Sequence, residues 1–173
     1  MSYRRRNPRY VKKSTLLVVG EGPSDKAFLN HLKEIYCHNT YQKVTVEAED
    51  GGSPDVMVHN VIRKHQHQAF DRKVLLLDED IYITEAVWAK AHKGKLELII
   101  STPTCLEGML LEVLGYQVGI ITAHHCKLQL HPMLSGPETK RESYRMLFPK
   151  SVIDSCSKEQ IVQLRQLLKN EDD

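Results

Sequence analysis

Three short apolar runs mark out the chain: TLLVVG at 15–20, KVLLLDED at 73–80 and LELIIS at 96–101. None alternates polar with apolar positions. That is the pattern of strands covered on both faces, whereas KVTVEAE at 43–49 alternates and predicts a strand with one face less buried. Helical spacing fills the intervals. From Ser24 onward Phe28, Leu29, Leu32 and Ile35 fall on one face; residues 55–69 and 84–92 predict further helices, and DGGSP at 50–54 is a turn. TPTCLEGMLLEVLG predicts a turn and a helix ending at Gly115, and residues 158–169 form a last amphipathic helix with Ile161, Leu164, Leu167 and Leu168 inward. Residues 116–122 read equally as a short strand or a loop. Residues 127–150, rich in Pro, Gly, Ser and charge, read as an excursion over the surface.

Strands separated by helices predict an α/β fold: a single Rossmann-like domain over residues 14–170, with a mainly parallel central sheet flanked by helices. A chain of 173 residues is long enough to bury its own core without staples. The composition, 41% hydrophobic and 27% charged, is that of a globular protein. No apolar run approaches the roughly 18 to 20 residues that a membrane helix needs. The basic start has no apolar stretch like that of a signal peptide, so the cytoplasm is the expected location. Cys37, Cys105, Cys126 and Cys156 form no CxxC pair, and the nine histidines follow no zinc spacing, so most are read as surface residues.

The net charge of +2 matters less than its distribution. Residues 1–13 form a basic leader carrying Arg4, Arg5, Arg6, Arg9, Lys12 and Lys13 with no acid. Such a segment can neutralise nucleic-acid phosphates, or it can serve only to keep the protein soluble.

The first apolar run ends in GEGPSD. A glycine-bearing turn between strand and helix often cradles phosphate, yet this one carries Glu21 and Asp25. Gly20 and Gly22 begin a dinucleotide fingerprint, but Asp25 stands at its third glycine; Asp25-Lys26-Ala27 likewise lacks the Gly and hydroxyl of a P-loop. Asp78-Glu79-Asp80 has the two aspartates of a haloacid-dehalogenase-type phosphatase, with Asp78 as nucleophile, but Tyr82 replaces the small residue of that motif. A metal site suits these acids better. Magnesium or manganese prefers carboxylate oxygens, and its charge holds together groups that would otherwise repel. Glu21, Asp25, Asp78 and Asp80 are the candidate ligands, brought to one edge if the two strands are neighbours. Alternatives stand beside these roles: Asp25 at a helix N-terminus is favoured by the helix dipole, and Asp78 or Asp80 could cap the next helix.

EGxxD after one apolar strand and DxD after another resemble the Toprim domain of topoisomerases, primases and OLD-family nucleases. The matching residues are Glu21, Gly22 and Asp25, then Asp78 and Asp80. The chain is similar to the small RloB-like Toprim proteins of restriction and phage-defence loci. Ser101-Thr102-Pro103-Thr104-Cys105-Leu106-Glu107 resembles their later Ser-x-Pro-x-x-x-Glu block, with Met109 and Leu110 where an aromatic residue is usual. The resemblance implies a Toprim-like fold and Mg2+- or Mn2+-dependent cleavage of DNA or RNA, in a phage-defence setting. Glu21 would be the general acid/base, and Asp78 and Asp80 the metal ligands, joined by Asp25 as in OLD-like enzymes. Glu107 would support the site, unless Thr104 and Glu107 form a capping box instead. The positive charge such chemistry needs is sought in Lys140, with Arg141 and Arg145 as neighbours. No Walker motif is present, so ATP gating would require a separate ATPase chain. A nucleic-acid or nucleotide binding module with little hydrolytic activity is the rival class.

Overall fold

The computed structural model describes residues 13–38 and 41–171. Four strands, β1 (Ser14–Gly20), β2 (Gln42–Ala48), β3 (Arg72–Asp78) and β4 (Glu97–Ser101), form an all-parallel sheet in the order β2-β1-β3-β4. The chain is α/β, as expected. Helices α1 (Pro23–Tyr36), α2 (Pro54–Lys64) and α3 (Glu85–Lys93) connect successive strands. Beyond β4 come α4 (Leu106–Val113), α5 (Ala123–Leu130), two 3-10 turns at His131–Met133 and Arg141–Tyr144, α6 (Lys150–Ser155) and α7 (Glu159–Lys169).

Side chains of successive strand residues point to opposite faces, so each continuous apolar run supplies two cores. Leu16, Val18, Val74 and Leu76 join Phe28, Leu32, Met109, Leu110, Leu164 and Leu168 on the face covered by α1 and α4–α7. Leu17, Val19, Leu75 and Leu77 meet Met57, Val58, Val61, Val87 and Ala91 from α2 and α3 on the other. Burying each large apolar side chain stabilises by about 1.5–3 kcal/mol. Three helix starts are set by side-chain caps: Ser53, Thr84 and Thr122 accept from the amides of Val56, Val87 and His125. Among the described residues no helix is long and apolar enough to cross a membrane.

One expectation needs correction. Residues 127–150 are no surface excursion: Leu130, Leu134, Tyr144 and Phe148 are buried in the larger core, where Phe28, Tyr144 and Phe148 pack ring to ring at 5.6–6.2 Å. Of the two readings of residues 116–122 the loop holds, and α5 begins at Ala123. Most histidines are exposed, as expected, while His31 and His65 are buried, at 2% and 1% exposure. His31 Nε2 donates to the carbonyl of Phe148 at 2.7 Å and so ties α1 to the segment before α6.

The start of β1 meets the end of α7. Ser14, at the start of β1, donates its hydroxyl to Asn170 Oδ1 at 3.2 Å, and Gln42, at the start of β2, donates to the same oxygen. Lys13 is exposed beside them; the other basic leader residues, Arg4, Arg5, Arg6, Arg9 and Lys12, lie outside the described residues.

Candidate functional site

The order β2-β1-β3-β4 places the reversal of chain direction across the sheet between β1 and β3. In open parallel sheets the crevice beyond the strand ends at such a switch point is where ligands bind. Glu21 leaves β1 there and Asp78 closes β3. The two are neighbours despite their distance in sequence: the Asp78 amide donates to Glu21 Oε2 at 3.2 Å.

Asp25 reaches the same place from the first turn of α1. Its Oδ2 accepts from the Gly22 amide at 3.0 Å, while Oδ1 is buried without a hydrogen-bond partner. Gly20 makes this approach possible, because a Cβ there would lie 2.3 Å from the Asp25 Cβ. Asp78 Oδ1 accepts from the Leu106 amide at 3.0 Å, at the N-terminus of α4, whose unsatisfied amides favour a carboxylate. Glu107, one residue on, is 3% exposed and pairs with His131 Nε2 at 2.9 Å. Glu21, Asp25, Asp50, Asp78, Glu107 and Lys127 line a cleft of about 390 Å³.

Glu21, Asp25 and Asp78 hold their protons unusually well. Burial raises Asp78 to about 8, with Asp25 and Glu21 adding like charge, against the opposing bond from Leu106. Burial likewise raises Asp25 to about 7, opposed by the Gly22 amide and reinforced by Glu107 and Glu21. Glu21 is raised too, by burial first. Lys127 is the lysine of the lining. Burial pulls its pKa down, but Glu107, Asp78 and other nearby groups outweigh that and keep it above the ordinary value.

The other expected residues lie elsewhere. Asp80 is exposed and outside the cleft lining; its amide donates to Thr104 O, and its charge still bears on Glu21. Between them, Glu79 accepts from the Thr104 amide at 2.9 Å. Thr104 and Glu107 do not form a capping box: Cys105 is the N-cap of α4, the Thr104 hydroxyl donates to Ile121 O, and Glu107 turns inward to His131. Asp25 combines two readings, bonding the N-cap amide of α1 while facing the cleft. Lys140 and Arg141 line a neighbouring groove, not this cleft, and Arg141 and Arg145 pair with Glu34. Sequence reasoning missed Lys127, Asp50 and His131. A cap signal for α5 was available in Thr122, and it would have set Lys127 on a helix.

Carboxylate oxygens suit a hard divalent cation, and the partnerless Asp25 Oδ1 is a donor atom that a cation would satisfy. Among the described residues, however, no group of three or more His, Cys, Asp or Glu side chains is arranged so that it could hold a metal ion. Glu21 Oε2, Asp25 Oδ2 and Asp78 Oδ1 are each committed to a backbone amide. The donor chemistry fits a metal, but these oxygens are engaged elsewhere. Searches of family models, of curated proteins and of solved structures found no match to this chain.

Proposed function

We propose that the chain is a divalent-metal-dependent hydrolase of phosphodiester bonds in DNA or RNA, a Toprim-like nuclease of the RloB-like kind. The observation that carries this reading is the convergence of Glu21, Asp25 and Asp78 at the β1/β3 switch point, with Lys127 beside them. Mg2+ or Mn2+ would be held only once Glu21, Asp25 and Asp78 turn from the backbone amides they bond, the partnerless Asp25 Oδ1 being the oxygen already free for it. Bound there, the ion would supply activation of water and stabilisation of the leaving oxygen. The protein's own groups supply the rest. Lys127 meets the negative charge of a phosphate with its ammonium group. Glu21, half-buried and with its pKa raised by that burial, is suited to take or return a proton. Glu107, held by His131, fixes the wall from which Leu106 orients Asp78.

A phosphatase using Asp78 as nucleophile is less well supported. Asp78 Oδ1 is bonded to the Leu106 amide, and Asp80, the second aspartate of that motif, is exposed and outside the cleft lining.

The test is cleavage of labelled single- and double-stranded DNA and RNA with Mg2+, Mn2+ or chelator. Wild type is compared with Glu21→Gln and Asp78→Asn, each checked for folding. Metal-dependent cleavage reduced about 100-fold or more in both variants is expected. Cleavage that survives chelation, or that neither variant alters, would overturn the reading. Metal binding without cleavage on any substrate would favour the binding module.

A further inference from the structure

We propose that the groove next to the acidic cleft is a track for the sugar–phosphate backbone of a nucleic acid, with Lys26 and Lys140 contacting its phosphates. The inference rests on the hydrolase reading above and names how its substrate is held. The groove has a volume of about 410 Å³ and is lined by Pro23, Lys26, Asn30, Thr139, Lys140 and Arg141, with Ala27 and Glu142. Pro23 lines the acidic cleft as well, so the two depressions adjoin along the first turn of α1.

The charges of this wall are unequally spent. Arg141 is taken by Glu142 at 2.7 Å and by Glu34 at 3.4 Å, and Arg145 by Glu34 at 2.6 Å. Glu47, the acid whose charge Lys26 influences, is itself paired with Lys64 at 2.5 Å. Lys26 and Lys140 are exposed, and among the described residues neither ammonium group has a hydrogen bond or ion pair. The groove therefore presents two uncompensated cations on opposite elements, α1 and the segment before Arg141. Asn30 and the Thr139 hydroxyl add polar contacts between them. Its electrostatic complement is a ligand with repeated anionic groups that can place one at Lys127 and the next in the groove. A phosphodiester backbone is a ligand with such repeated anionic groups, and contacts of this kind position a nucleic acid without reading its sequence.

The test uses the full chain as Glu21→Gln, alone and with Lys26→Ala, Lys140→Ala or both. Each is titrated with a labelled single-stranded oligonucleotide over a series of KCl concentrations. Each lost phosphate contact should reduce the slope of log affinity against log salt by about 0.7, and the double variant should lose both. In the catalytically intact chain the same substitutions should raise KM. An unchanged slope in the double variant overturns the track, as does absence of oligonucleotide binding to any form. An acidic peptide that binds as tightly and depends on the same lysines overturns it too, in favour of a protein partner. The two readings fail separately. Metal-dependent cleavage with an unchanged slope removes only the track, whereas lysine-dependent binding without cleavage removes only the hydrolase.

Discussion

Asp78 is held where its charge is least welcome. It is surrounded by Asp25, Glu21 and Glu107, and the Leu106 amide offsets only part of that repulsion. Crowded acids are tolerated when function requires them, and replacing one with a neutral isostere often stabilises the fold. Asp78→Asn should therefore stabilise the metal-free protein at pH 8 by on the order of 1–2 kcal/mol while removing activity. Urea denaturation in chelator measures the first effect, and a gain in activity or a loss of stability would contradict it. Lys127 works in the opposite sense as the cleft's counter-charge. Lys127 is exposed and solvent screens its charge, so Lys127→Met should destabilise the fold at pH 8 by only about 0.5 kcal/mol, and a variant more stable than wild type would contradict its part as counter-charge.

At the level of elements, the site depends on how closely α1 can approach the end of β1. Gly20 permits that contact, and a methyl group there would collide with Asp25. Gly20→Ala should cost about 1–3 kcal/mol by overpacking and should displace Asp25; an unchanged urea midpoint would show that the turn yields freely. Much of this region was legible in the sequence. Continuous apolar runs located β1 and β3, parallel topology put Glu21 and Asp78 at one edge, and the acids after each run marked it as chemically unusual. The other wall was not legible. Leu130, Leu134, Tyr144 and Phe148 are buried by long-range contacts and are separated by polar residues, so no local period announces them. Lys127 was lost with that segment, and positive charge was sought in Lys140. Glu107 had a local motif pointing to a cap, but a tertiary contact with His131 overrides it.

For the molecule as a whole, these acids leave a signature in the dependence of stability on pH. Asp25 and Asp78 have folded values of about 7 and 8, above those of an unfolded chain near 4. The folded state thus binds more protons between those limits, and stability falls as pH rises through the window. His31, depressed by burial, acts oppositely and loses its contribution as pH falls below its unfolded value of about 6.5. Above that value the acids act in one direction, joined toward pH 8.5 by Cys37, Cys105 and Cys126, whose thiols burial raises. The urea midpoint of the metal-free protein should fall between pH 6.5 and 8.5, and the Asp25→Asn, Asp78→Asn double variant should fall less steeply there, most clearly below pH 7.5. A wild-type midpoint that rises across this range would contradict the raised values.

Ser14 and Asn170 are joined at the pole of the sheet where the strands begin, while the cleft opens where they end. β1 spans about 20 Å between them at roughly 3.3 Å per residue. Whatever chain precedes Ser14 or follows Asn170 is therefore attached back-to-back with the acidic cleft. A reporter or a second module fused at either end, or a surface linkage through it, leaves the cleft facing outward. Because Ser14 and Asn170 adjoin, a short linker between those two positions could also close the described fold into a circle and move its termini to another loop.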